Sequence, residues 1–115
     1  MRFAIFGDIH ANLHALEAVL ADTRDQGCTH SICMGDVVGY NAFPNECVAI
    51  VRELDCPVVK GNHDEQVSMD YTQEGLNPLA EEALDWTRNQ LGESEKDWLR
   101  ELRFQRLVRD FTVVH

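Results

Sequence analysis

The sequence predicts an α/β fold organised around a mainly parallel sheet, and two observations carry that prediction. Short apolar segments alternate with stretches of helical spacing, in the order βαβαβ over the first 60 residues. Three times, such a segment runs into a glycine followed at once by an acid or amide: Phe6-Gly7-Asp8-Ile9-His10, Met34-Gly35-Asp36-Val37-Val38-Gly39 and Lys60-Gly61-Asn62-His63-Asp64. Asp8 and Asp36 are 28 positions apart, and Asp36 and Asn62 are 26 apart. Both spacings are close to the ~30 residues of one strand-helix-strand crossover, so the three turns are expected at the same sheet edge.

The elements follow in order. Arg2 to Phe6 is the first expected strand, and Leu13, Leu16, Val19 and Leu20 then recur at helical spacing until Gly27 provides a stop signal. Ser31 to Met34 is the second strand. Pro44 opens a helix carrying Val48, Ile50, Val51 and Leu54, and Pro57-Val58-Val59 is a third short strand. Residues 65 to 78 are expected to be a polar connection. Leu79 to Leu91 and Ser94 to Leu102 read as two helices divided at Gly92, with Ser94 as N-cap. Phe104 to Val108 and Phe111 to Val114 are two strands joined at Arg109-Asp110. No linker or low-complexity stretch divides residues 1–115, which read as a single domain.

Composition narrows the function classes. With 44% apolar residues among 115, the chain can bury a sizeable core. The absence of an 18-residue apolar run and of a signal-peptide pattern gives a cytoplasmic expectation with no membrane partner. Cys28, Cys33, Cys47 and Cys56 include no CxxC pair and read as reduced, mostly buried thiols. Twenty acidic against ten basic residues give a net charge of −10, which argues against a track for nucleic-acid backbone. Divalent ions held by acidic side chains would reverse the charge locally and admit a phosphate.

The turn residues suggest which ions. Aspartate oxygen, imidazole nitrogen and amide oxygen together suit a divalent metal of borderline hardness, whereas calcium or magnesium cages are normally built from oxygens alone. Asp8 and His10, two apart, would share one face of an extended segment and could bind one ion together. Asp36 can supply a bridging carboxylate, and Asn62 an amide oxygen. His63 next to Asp64 resembles a general acid with an orienting partner. Taken singly, an aspartate after a strand is more often a turn or cap residue; it is the threefold recurrence that favours a site.

At these residues the chain resembles the calcineurin-like metallophosphoesterase family, whose pattern is D-x-H, then G-D-x-x-G or G-D-x-x-D, then G-N-H-D or G-N-H-E. Asp8-Ile9-His10, Gly35-Asp36-Val37-Val38-Gly39 and Gly61-Asn62-His63-Asp64 match it in order. Gly39-Tyr40 followed by Pro44-Asn45-Glu46 is most similar to the small bacterial phosphodiesterase branch. The resemblance implies the amino-terminal part of a metallophosphoesterase β-sandwich flanked by helices. It further implies two divalent metal ions (manganese, iron, zinc or nickel), with Asp8 and His10 on the first, Asp36 bridging and Asn62 on the second. Phe111-Thr112-Val113-Val114-His115 is similar to the family's next histidine-bearing strand, so His115 is a further implied ligand. The family's later G-H-x-H motif does not occur in the sequence, so the domain is expected to be incomplete at its carboxy-terminus.

The implied activity is metal-dependent hydrolysis of a small phosphodiester or nucleotide-like substrate, with activated hydroxide as nucleophile. His63 would protonate the leaving group, Asp64 would orient His63, and Asn12 and the backbone around Gly39 would touch substrate. Alternatives of a different class are a non-catalytic phosphoesterase-like scaffold and a metal-binding protein without turnover; a homo-oligomer is compatible with each. His14 and His30 are expected to lie outside the site, and Trp86 and Trp98 to pack in the core.

Overall fold

In the computed structural model, residues 1–69 and 74–115 are described. The element order is β1 (Phe3–Phe6), α1 (Leu13–Asp25), β2 (His30–Cys33), α2 (Pro44–Glu53), α3 (Asn62–Ser68), α4 (Pro78–Gln90), α5 (Glu93–Glu101), β3 (Gln105–Val108) and β4 (Phe111–Val114). Strands β1 and β2 pair in parallel from Phe3 opposite His30 to Phe6 opposite Cys33, the arrangement a right-handed crossover through α1 produces. Local chemistry sets the crossover's limits. Asn12 caps α1 by accepting the Ala15 N–H at 3.1 Å, and Gly27, at φ +69°, takes the left-handed conformation just beyond the helix.

The third expected strand is present only as a continuation of the sheet by isolated bridges. Cys33 donates its N–H to the Pro57 carbonyl at 2.9 Å, and Val59 returns a bond to the Cys33 carbonyl at 3.1 Å. Val59 then bridges to Arg103 in parallel. Pro57 has no N–H to offer, and the segment turns into α3 three residues later, so no regular ladder develops. Buried Lys60 fastens the far side, donating from Nζ to the Arg100 carbonyl at 2.8 Å near the end of α5.

Two apolar layers lie on this sheet. The larger gathers Leu16 and Leu20 of α1, Cys47, Val48 and Val51 of α2, Val67 of α3, Leu84 of α4 and Leu99 of α5 around Cys33, Val37 and Val38. Each fully buried Val, Leu or Ile contributes about 1.5–3 kcal/mol. The smaller layer holds Ile32, Val59 and Val113, with Phe3, Met34, Val108 and Phe111 packed against it. The β3–β4 hairpin, antiparallel from Gln105 opposite Val114 to Val108 opposite Phe111, is thereby seated on the sheet. The Phe3 and Phe111 rings meet edge to face at 5.7 Å. Arg109 makes the tight turn without glycine by taking φ +55°.

Several expectations are corrected. Residues 62–68, mostly assigned to a polar connection, form α3; the rest of that expected connection at 70–73 lies outside the described residues. The polar composition hid α3 because its signal is a cap: Asp64, at the third helical position, accepts the N–H of the N-cap Gly61 at 3.0 Å. The cap of α5 is Gly92, while the Ser94 hydroxyl accepts from Arg52 Nη1 at 3.1 Å across the gap to α2. His30 opens β2, and Trp86 is exposed where Trp98 packs against the core. The four cysteines are free; Cys33 and Cys47 are buried. Among the described residues no helix is long and apolar enough to cross a membrane.

Candidate metal centre at the sheet edge

The three glycine turns meet where β1, β2 and the 57–60 segment end. Asp8 donates its N–H to the Gly35 carbonyl at 2.9 Å, and His10 and Ala11 donate to the Asp36 and Val37 carbonyls at 2.9 and 2.8 Å. Glycine is required for this contact: a Cβ on Gly35 would stand 2.6 Å from both Gly61 N and Val59 O, and one on Gly61 would stand 2.0 Å from Asp36 Oδ1. The acids and the histidine themselves adopt the left-handed region, with φ of 51° at Asp8, 48° at His10 and 55° at Asp36. Such conformations cost of order 1–3 kcal/mol each and persist where surrounding structure enforces them. At these φ values the segment is not extended, so strand alternation does not decide which way Asp8 and His10 face.

Asp36 is the hub. It is buried, and its Oδ1 accepts the His63 N–H at 3.0 Å. Its Oδ2 stands 3.6 Å from His10 Nε2 and 3.3 Å from His115 Nε2. Both imidazoles are turned the same way: His10 Nδ1 lies 3.1 Å from the Val38 carbonyl and His115 Nδ1 lies 2.8 Å from the Met34 carbonyl. A carbonyl can only accept, so each Nδ1 carries a proton and each Nε2 is the atom turned towards Asp36, free to bind a metal once it is deprotonated. This is how metal-ligating histidines are commonly oriented. His115 Nε2 also lies 3.1 Å from Asn62 Oδ1, and His115 Nδ1 lies 4.0 Å from Asp8 Oδ1.

Two donor groups result, sharing Asp36. His10, Asp36 and His63 offer one atom each within 4.8 Å of one another, and so do Asp8, Asp36 and His115. The expected partition put Asp8 with His10 and left His63 outside the ligand set; here Asp8 and His115 gather on one side of Asp36, and the His63 ring centre lies 4.8 Å from that of His10 on the other. Exposed Asn62 joins the His115 side. Imidazole, carboxylate and amide donors with pre-set tautomers fit a divalent ion of borderline hardness.

Asp64 does not orient His63. Its carboxylate is fully buried and turned into the loop: Oδ2 accepts from Asp36 N at 2.8 Å and Gly61 N at 3.0 Å, and Oδ1 from Val37 N at 2.9 Å and Val38 N at 3.3 Å. It therefore binds the second glycine turn to the third. Burial pushes the Asp64 carboxyl up to about 6, with the Asp36 charge acting in the same sense and the Gly61, Val38 and Asp36 amides opposing it. Burial lowers the His63 imidazole, although Asp36 draws it upward. His115 moves the other way: burial would lower it, but the Met34 carbonyl and the Asp36, Asp8 and Asp64 carboxylates prevail and raise it.

Of the remaining expected site residues, Asn12 lines a pocket beside Asp8 and His10, and Gly39 backs the His63 ring, whose Nδ1 would lie 2.7 Å from a Cβ at that position. His14 is exposed and faces Phe43 at 5.6 Å, away from the cluster. Tyr40 was not anticipated as a site residue. It is 58% exposed at φ +68°, with its ring 4.9 Å from His10 and 4.6 Å from His63. Its position straight after the second glycine turn was the available signal.

The sequence profile of calcineurin-like phosphoesterases matches residues 1–115. The chain belongs to the calcineurin-like phosphoesterase family. A metallophosphoesterase from Sphaerobacter thermophilus, 40% identical, has a TM-score of 0.85 over 100% of this chain and 46% of its own. The uncharacterized protein MJ0912 of Methanocaldococcus jannaschii is 46% identical over 89 residues, 74% of this chain and 35% of that protein. Yfce, a phosphoesterase from E. coli, is 19% identical with a TM-score of 0.56, covering 100% of this chain and 57% of its own, which shows the fold alone. The chain thus spans between about a third and just over half of these proteins. It corresponds to the amino-terminal part of a metallophosphoesterase fold, and members of the family use divalent metals.

Proposed function

We propose that this calcineurin-like phosphoesterase chain contributes to metal-dependent hydrolysis of a small phosphodiester or nucleotide-like substrate. The observation that carries the proposal is the placement of Asp36 Oδ2 between two imidazole Nε2 atoms, 3.6 and 3.3 Å away, each held by a backbone carbonyl on its other nitrogen. Such a hub would share one carboxylate between donors on its two sides, His10 on one and Asp8 and His115 on the other. Bound divalent ions would supply an activated hydroxide and positive charge for the phosphate oxygens, the two contributions in-line displacement at phosphorus requires.

The chain's own residues would do the rest. Asp8, His10, Asp36, Asn62 and His115 hold the donor atoms in place. The His63 ring, beside His10 and Tyr40, would pass a proton to the departing alkoxide, a role worth about 10²- to 10⁴-fold. The Asp64 carboxylate fixes the turn that carries Asp36. Manganese, suited by the carboxylate and amide oxygens, and zinc and nickel, suited by imidazole, are the metals to add first.

The test joins metal content with turnover: elemental analysis of the purified protein, and hydrolysis of bis(p-nitrophenyl) phosphate in the presence of manganese, zinc and nickel. Metal binding with turnover is the expected result. A protein that binds none of the three ions and leaves the diester intact would refute the proposal.

A further inference from the structure

The three imidazoles around Asp36 are not held in the same way. Those of His10 and His115 are each fixed at Nδ1 by a backbone carbonyl, of Val38 at 3.1 Å and of Met34 at 2.8 Å. Among the described residues no hydrogen bond holds the His63 ring; only its backbone N–H is engaged, with Asp36 Oδ1 at 3.0 Å. The adjacent Asp64 carboxylate is committed to the amides of the glycine turns. An imidazole that gives a proton to a leaving group has to point one way, since a misplacement of about 1 Å can cost about 10²-fold. For His63 that direction is left to packing.

The packing comes from the two residues that end the second glycine turn. At Gly39, φ +99°, the imidazole occupies the place of a side chain: a Cβ there would stand 2.7 Å from His63 Nδ1 and 3.2 Å from its Cγ. Tyr40 closes the other approach, with its ring centre 4.6 Å from that of His63 and 4.9 Å from that of His10, tilted by 57° and 60°. These are the separations of aromatic pairs, and the His10 and His63 rings complete the set at 4.8 Å. The turn fixes Tyr40 in return. Its backbone is left-handed at φ +68°, and the Asn41 N–H that follows donates to the Gly39 carbonyl at 2.9 Å and lies 3.2 Å from that of His10. We infer that Tyr40 is a positioning residue, whose ring, and not its hydroxyl, holds the His63 imidazole in the orientation from which it donates its proton. The inference rests on the phosphoester function proposed above and adds a residue to its machinery.

A double-mutant cycle tests whether Tyr40 acts through His63. Turnover of bis(p-nitrophenyl) phosphate with manganese, and metal content, are measured for Tyr40→Ala, Tyr40→Phe, His63→Ala and the double variant of Tyr40→Ala with His63→Ala. Tyr40→Ala is expected to lower kcat about tenfold or more with KM and metal content nearly unchanged, while Tyr40→Phe, which keeps the ring, stays within about threefold of the unmodified protein. On the His63→Ala background Tyr40→Ala should take nothing further, because a residue that acts through another has no effect once that other is gone. Nuclear Overhauser contacts between the Tyr40 and His63 ring protons of the metal-free protein, expected to be present, read the arrangement without turnover. Unaltered turnover in Tyr40→Ala, a loss confined to KM or to metal content, a Tyr40→Phe variant as impaired as Tyr40→Ala, an equal loss on the His63→Ala background, or missing ring contacts would each overturn the assignment of Tyr40 and leave the phosphoester function standing. Absence of turnover in the unmodified protein would overturn that function and this inference with it.

Discussion

Replacing Asp64 with alanine tests whether the second and third glycine turns are held together by one side chain. The substitution removes the acceptor of four buried backbone N–H groups, those of Asp36, Val37, Val38 and Gly61. A buried donor left without a partner costs about 1–3 kcal/mol, so at about 2 kcal/mol each the loss is about 8 kcal/mol. One effect opposes it. Burial holds the Asp64 carboxyl at about 6 against an ordinary 3.8, so removing the buried charge offsets part of that loss. The net expectation is a destabilisation of several kcal/mol, a large part of the 5–15 kcal/mol typical of a domain. Urea denaturation followed by circular dichroism measures the total, and hydrogen exchange locates it: the amides of residues 36–38 and 61 should lose protection first. A change below about 1 kcal/mol, with those amides still protected, would show that the loop finds other acceptors and that the clamp is not what holds it.

Four further outcomes are expected. His63→Ala should leave metal stoichiometry nearly intact while kcat against an aryl phosphodiester falls by about 10²-fold or more, whereas an emptied site by elemental analysis would make His63 a ligand with His10 and Asp36. Gly61→Ala forces a Cβ to 2.0 Å from Asp36 Oδ1, so it should lower both stability and metal affinity; an alanine variant with unchanged metal content would contradict the close packing of the turns. Manganese at a hundredfold excess over its dissociation constant should add about 2.7 kcal/mol of stability, visible as a raised melting temperature, and a flat series across manganese, zinc and nickel would count against the centre. Burial pushes the Cys33 thiol up to about 12 from an ordinary 9.0, so between those values the folded chain keeps a proton that the unfolded chain gives up. Stability should therefore decline as pH rises above about 9, with buried Cys47, pushed up to about 11, acting in the same sense, and Cys33→Ala should lessen that slope by about 1.4 kcal/mol per unit in alkaline denaturation curves.

The parts of this molecule that announce themselves in sequence are those in which short-range chemistry and tertiary role coincide. Asp8, Asp36 and Asn62 each follow a glycine at the end of an apolar run, and the crossover length alone brings them to one edge, as the Asp8–Gly35 and His10–Asp36 backbone bonds show. Pro44 and Leu13 open their helices where expected. What stayed hidden depends on partners far along the chain or on a backbone state that spacing does not encode. Asp64 looks like the neighbour of His63, yet its carboxylate serves amides 26 to 28 residues earlier. Helix α3 is polar enough to resemble a loop because its stability comes from that same carboxylate and from burying Val67 and Ser68. The left-handed φ at Asp8 and His10 is a backbone state that alternation of residue types does not encode.

His115 reaches the centre from the hairpin, while Asp8, Asp36 and Asn62 come from the parallel layer beneath it. An ion gripped by both would act as a rivet between layers whose ligands stand 107 positions apart, from Asp8 to His115. The Asp8–His115 donor group requires the hairpin to be seated on the sheet, a contact of long sequence separation. Metal uptake in a refolding experiment would then serve as a clock for the last stage of assembly, and a chain whose hairpin is unseated would lose the ion well before it lost its helices.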